Sequence, residues 1–152
     1  NVGHTSAGNV QVMSAGTGIV HAEHNLGDEP VRLFQIWIVP QKQGVAPRWE
    51  MRNFPEGATE GKLHVMASGR AGEAGAMSIH QDAAVLGARL KPAQSVTYKL
   101  GQGRRAYVVS TDGAIRVNGV AVPPRAGVAI NDERELTIEA NEATDVVLVD
   151  VP

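Results

Sequence analysis

The sequence predicts an all-β protein of the sandwich or barrel kind, and three observations carry that expectation. Its 17 glycines and 8 prolines punctuate the chain at intervals of roughly eight to twelve residues. The pieces between them are rich in Val and Ile and lack helical periodicity. Asn118-Gly119 stands between Ile115-Arg116-Val117 and Val120-Ala121-Val122, and both turn residues accept the positive φ of a type I′ hairpin.

In chain order, a short strand is expected at 19–23, entered through the flexible turn Gly16-Thr17-Gly18. Residues 31–39, VRLFQIWIV, read as a long, mostly buried strand stopped by Pro40. From Phe54 to Gly75 the chain turns glycine-rich, with Pro55-Glu56-Gly57 near its start, and reads as a connector holding one strand at 62–67. Shorter strands follow at 95–100, 106–110, 114–117, 120–122 and 135–139, with Asp112-Gly113 as a second turn similar to Asn118-Gly119. A last strand, 144–151, returns to pair with the sheet.

Composition narrows the functions. With 14 Lys and Arg against 16 Asp and Glu the formal charge is -2, and neither sign is gathered into a block. Direct binding of nucleic acid or of an anionic membrane is therefore not expected. The absence of cysteine removes disulfides, zinc-thiolate sites and thiol catalysis, and fits a reducing cytoplasm. No apolar run is long enough to span a bilayer as a helix. The 152 residues match one ordinary domain rather than two complete ones, and the first is Asn1 rather than Met, so the natural N-terminus is expected upstream.

The chemistry-bearing stretch runs from Gly8 to Asn25. On a strand at 19–23, His21 and Glu23 are two apart and share a face, so an imidazole nitrogen and a carboxylate oxygen can bind one divalent ion. Taken alone, the His-x-Glu spacing is equally that of an unrelated strand pair, and His24 on the other face reads as a surface residue.

The whole block is more specific. Gly8, Gly16, His21 and Asn25 resemble the second motif of the cupin superfamily, with Ser14 where the motif has proline and Thr17-Gly18 lengthening the path to the histidine. Both departures, with Val10-Gln11-Val12-Met13-Ser14-Ala15-Gly16-Thr17-Gly18-Ile19-Val20-His21-Ala22-Glu23 and Leu33-Phe34-Gln35-Ile36-Trp37-Ile38-Val39-Pro40, resemble the pirin family. Pro47-Arg48-Trp49-Glu50 and Ile79-His80-Gln81-Asp82 are similar to its bacterial members.

The resemblance implies a cupin bicupin, two jelly-roll barrels, with the first incomplete in this chain. Residues 1–54 would be the end of a metal-binding barrel, 55–76 a connector, and 77–152 a metal-free barrel. It also implies a metal held by three histidines and one glutamate, placing His21 and Glu23 as two of the ligands. The other two belong to a His-x-His motif that this chain lacks. His4, His64 and His80 do not have its spacing, so that motif is expected before Asn1. The ion would be iron, with nickel, cobalt, copper, manganese or zinc as alternatives.

The implied activity is quercetin 2,3-dioxygenase chemistry: a flavonol and dioxygen react with ring cleavage and release of carbon monoxide. Glu23 would accept the flavonol hydroxyl proton. By themselves the 152 residues would be inactive. Other expectations are a metal- or redox-sensing regulatory protein, and a structural piece whose open barrel edges pair with a protein partner or a second copy.

In the second barrel, Arg104-Arg105-Ala106-Tyr107 occupies the place of a second His-x-His, which argues against a metal there. Arg104 and Arg105 are expected to be solvated. His80 and Asp82 are expected to form a hydrogen-bonded tie between strands rather than a ligand pair, and Trp37 and Trp49 to be core or barrel-edge residues.

Overall fold

The computed structural model describes residues 2–54 and 59–152; Asn1 and residues 55–58, including Pro55-Glu56-Gly57 of the expected connector, lie outside the described residues. Strands β1 (Asn9–Ser14) and β2 (Arg48–Asn53) form an antiparallel pair across a long excursion of the chain. The rest of the sequence builds two further sheets. β3 (His64–Ser68), β4 (Met77–Ser78), β5 (Ala84–Leu90), β7 (Arg105–Ser110), β10 (Gly127–Ile130) and β12 (Thr144–Val151) form one of six strands, in the order β10-β7-β12-β5-β3-β4. β6 (Ser95–Lys99), β8 (Ile115–Val117), β9 (Val120–Val122) and β11 (Glu135–Ala140) form the other, in the order β6-β11-β8-β9.

The two-residue period of a strand explains the core between these sheets. In β12, Thr144, Val146, Leu148 and Asp150 are buried, while Asp145, Val147, Val149 and Val151 alternate on the outer face. Leu148, with Ala84, Leu86 and Leu90 of β5, Val108 of β7, Ile115 of β8 and Leu136 and Ile138 of β11, fills one contiguous cluster. Burial of each larger apolar side chain contributes about 1.5–3 kcal/mol before chain entropy is counted. The outer face of the six-stranded sheet is apolar too. Met66, Ala67, Met77 and Val85 form a second cluster there, against which Val10 and Val12 of β1, Ile38 and Phe54 are packed. The β1–β2 hairpin is thus docked on the outside of the barrel.

Apart from β10, the strands from β6 onward stand where the sequence places them. Asn118 (φ 47°) and Gly119 (φ 81°) make the tight turn between Val117 and Val120, which pair directly. Asp112-Gly113 differs: neither residue has positive φ, and the bend carries the chain from β7 in one sheet to β8 in the other instead of closing a hairpin.

The largest correction concerns residues 15–47. No strand forms at 19–23 or 31–39, and most of this segment is exposed. Val31 and Leu33 are each 64% exposed and Trp37 87%. An apolar run becomes a strand only where another edge takes up its N–H and C=O groups and a second layer covers its side chains. Among the described residues no strand pairs with 31–39; Ile38 packs on the outer cluster and Val39 O accepts from Gln81 Nε2 at 2.9 Å, which leaves most of the run uncovered. Strands β1, β2, β5 and β10, and the two-residue β4, have no counterpart among the expected strands. β1 and β2 are half-polar, β5 contains Gly87, and β10 begins at Gly127, so each signal is weak locally. Among the described residues no helix is long and apolar enough to cross a membrane.

Candidate functional site

The turn that precedes His21 is specified locally. Gly16 adopts φ 53°, and a Cβ there would lie 2.0 Å from the Val45 carbonyl oxygen, so only glycine fits. Thr17 N donates to that same oxygen at 3.1 Å, and Gly18 N donates to Ala15 O at 2.7 Å. Beyond this clamp, His21, Glu23 and His24 are all exposed and lie on no strand, so the alternation that would put His21 and Glu23 on one face is not in force.

Glu23 is nonetheless tied to the hairpin. Gln11 of β1 donates from Nε2 to Glu23 Oε1 at 2.6 Å, and Trp49 of β2 donates from Nε1 to Gln11 Oε1 at 3.2 Å. The indole N–H can only donate, which fixes the Gln11 amide with its NH2 toward the carboxylate. Trp49 is 37% exposed and works here as a donor rather than as core. An imidazole and a carboxylate, both open to solvent, suit a divalent ion of the iron-to-nickel series by donor chemistry. They are only part of a coordination sphere. Among the described residues no three His, Cys, Asp or Glu come together as a metal cluster.

A second polar constellation, which sequence reasoning missed, lies inside the barrel. Asp150 of β12 is 1% exposed. Its Oδ2 accepts from Arg70 Nη1 at 2.7 Å and from the Tyr98 hydroxyl at 2.5 Å, and its Oδ1 accepts from Arg104 Nε at 2.6 Å. Arg104 also donates to Asp82 Oδ2 at 3.0 Å and Asp82 O at 2.8 Å. The expectation of a solvated Arg104 is therefore corrected: its side chain is 16% exposed and bridges two carboxylates. Asp82 pairs with Arg104, and His80 joins the neighbouring segment through its backbone oxygen, which accepts from Gln41 N at 2.7 Å. His80 and Asp82 are thus tied separately, each to a different segment, rather than to one another.

Burial and the hydrogen bond to Asp150 push the Tyr98 hydroxyl up to about 12. Burial alone would raise the Glu73 carboxyl, but hydrogen bonds from Arg70 and Ser68 outweigh it and hold that group below the usual carboxylate range. Asp150 stands in phase with Val146 and Leu148, and that register is the sequence signal for a carboxylate aimed into the core.

The two facing sheets, with their antiparallel ladders and single interior, define a cupin-type β-barrel. Comparison with known proteins specifies it further. Residues 1–38 match the family model described as pirin, and residues 65–151 match that of the quercetinase C-terminal cupin domain. The chain is 50% identical over 150 residues to a pirin-like protein of Caulobacter vibrioides, covering 99% of this chain and 65% of that protein. It is 38% identical over 148 residues to a quercetin 2,3-dioxygenase of Escherichia coli K12, covering 96% of this chain and 62% of the relative. The solved structure of a bacterial pirin of Escherichia coli in complex with nickel(II) superposes with a TM-score of 0.82 at 33% identity, covering 96% of this chain and 62% of that one. The chain belongs to the pirin family. It spans about two thirds of the length of the curated relatives it matches.

Proposed function

We propose that residues 1–54 are part of a metal-binding cupin barrel, that 55–76 connect it to a metal-free barrel at 77–152, and that the whole is a cytoplasmic dioxygenase of the quercetin 2,3-dioxygenase type. Iron is the metal we favour, then nickel, cobalt, copper, manganese or zinc. In this reading His21 and Glu23 are two ligands of the ion, and the remaining donors come from residues outside these 152. The observation that carries the reading is the Trp49–Gln11–Glu23 chain of hydrogen bonds, which orients one carboxylate oxygen of Glu23, a residue two positions along the chain from His21. The relatives, a quercetin 2,3-dioxygenase and a nickel-bound pirin, support the substrate class and the presence of a metal.

When bound, a divalent ion supplies Lewis acidity toward the flavonol oxygens and a place for dioxygen to react. The protein residues contribute position and proton transfer. His21 offers an imidazole nitrogen. Glu23, with Oε1 engaged by Gln11, keeps Oε2 to take the proton of the flavonol hydroxyl.

The test is quercetin turnover by the full-length protein reconstituted in turn with each metal. Carbon monoxide release is expected with at least one. His21→Ala is expected to lower metal occupancy, and Glu23→Gln to lower kcat by roughly a hundredfold or more, the usual contribution of a positioned base. Full metal occupancy without carbon monoxide would support the regulatory reading instead. Failure to bind any metal would remove the site.

A further inference from the structure

The barrel has a seam. Among the described residues, β6 pairs only with β11, and residues 64–66 of β3 pair only with β5, so one edge of each sheet is left without a partner strand. Between residues 61–65 and β6 lies a slot of about 510 Å³. That volume is within the range of small-molecule sites, roughly 300–1,000 Å³. Leu63, Val65, Leu86 and Val96 make part of its lining apolar, while Lys62, Ser95 and Thr97, with the ionisable Arg70, Glu73 and Tyr98, make much of the rest polar.

The Arg70 guanidinium is anchored on one side only by groups of the barrel wall. Its Nη1 donates to Asp150 Oδ2 at 2.7 Å and to the Tyr98 hydroxyl at 2.8 Å. The opposite fork, Nε and Nη2, is a two-pronged carboxylate receptor, and Glu73 fills it through Oε2 at 3.3 Å and Oε1 at 2.5 Å. Glu73 comes from the short loop between β3 and β4, three residues after the arginine, and its side chain is 24% exposed. Next to it, Gly72 holds φ 89° with nothing within 4 Å of a would-be Cβ, and Gly75 is equally unobstructed. A carboxylate that also accepts from Ser68, on a glycine loop tied at Gly75 O by Arg52 Nη1 at 2.8 Å, thus covers a pre-aimed arginine at a partly apolar slot.

We propose that this slot binds a small monocarboxylate with an apolar body, whose carboxylate takes over the Nε and Nη2 fork of Arg70 from Glu73. Exchanging one carboxylate for another leaves the charge of the buried cluster unchanged, so the penalty for adding a charge to a desolvated site is avoided. The displaced Glu73 moves into water on its glycine loop, while the apolar body covers Leu63, Val65 and Val96. A cation would face Arg70 and Lys62, and a neutral molecule would leave the fork with Glu73. The proposal is independent of the metal at His21 and Glu23.

The test uses this chain, titrated with octanoate, 1-octanol and octylamine and followed by amide chemical shifts and calorimetry. Octanoate is expected to bind, shifting Leu63, Val96 and Thr97, with the alcohol and the amine binding at least tenfold more weakly. Glu73→Ala removes the internal competitor and is expected to tighten octanoate about tenfold, as for any site freed from a self-occupied state. Arg70→Lys keeps the charge, loses the fork, and is expected to weaken octanoate by roughly tenfold or more. Because Arg70→Lys can also disturb folding, Glu73→Ala is the deciding variant. Equal binding of octanoate and 1-octanol, an unchanged or weaker affinity in Glu73→Ala, or no binding by either protein would overturn the proposal.

Discussion

Asp150 is the residue on which the polar end of the barrel turns. A carboxylate at 1% exposure with two arginines and a tyrosine on its oxygens is a buried ion network, and removing one partner from such a network costs about 3–5 kcal/mol. Tyr98 makes the network readable by pH. Its folded value of about 12 lies above the unfolded value of 10.0, so above pH 10 the unfolded chain releases the proton first. The stabilisation is whole below about pH 10 and is lost as pH rises toward about 12. The urea midpoint is therefore expected to fall across that interval and to fall less steeply in Tyr98→Phe. Parallel slopes for the two proteins would show that Tyr98 is not the group responsible. The same scale gives Gln11 of β1, whose amide orientation follows from the donor-only indole of Trp49.

Among the elements, the β8–β9 hairpin shows what local chemistry can specify. Asn118 supplies the left-handed φ, and its side chain works as well: Thr137 N donates to Oδ1 at 2.8 Å and Nδ2 donates to Glu135 O at 3.1 Å. One residue closes the hairpin and ties it to β11. Asn118→Ala is expected to cost about 2 kcal/mol in chemical denaturation, from two lost hydrogen bonds and a strained φ. Asn118→Gly is expected to recover only the backbone part and fall between the two. An alanine variant as stable as the parent would mean the turn is held by its flanking strands alone. Residues 31–39 make the contrast. Their composition is that of a buried strand, yet hydrophobicity specifies burial only when there is something to be buried against.

At the scale of the whole molecule, the two sheets enclose one core while residues 15–47 are largely open, held by the Gly16–Val45 clamp, Ile38 in the outer cluster and the bond from Gln81 Nε2 to Val39 O at 2.9 Å. The Arg32–Asp112 pair at 3.2 Å has side chains 72% and 69% exposed and adds little. Limited trypsin digestion is accordingly expected to cut first after Arg32 and Lys42 and to leave the barrel strands intact, read by mass spectrometry. First cuts at Lys99 or Arg116 would contradict this order of stability.

The sequence by itself determined the β class, most of the later strands, the Asn118-Gly119 turn and the family motif around His21 and Glu23, because each depends on neighbours within a few residues. Tertiary structure decided which strands pair, that 31–39 stays open, that Arg104 is an interior cation and that Arg70, Tyr98 and Asp150 meet. Those contacts join residues far apart in the chain. Only the closing of two sheets on one another fixes the distance between such groups, and with it whether a charge faces water or a counter-charge.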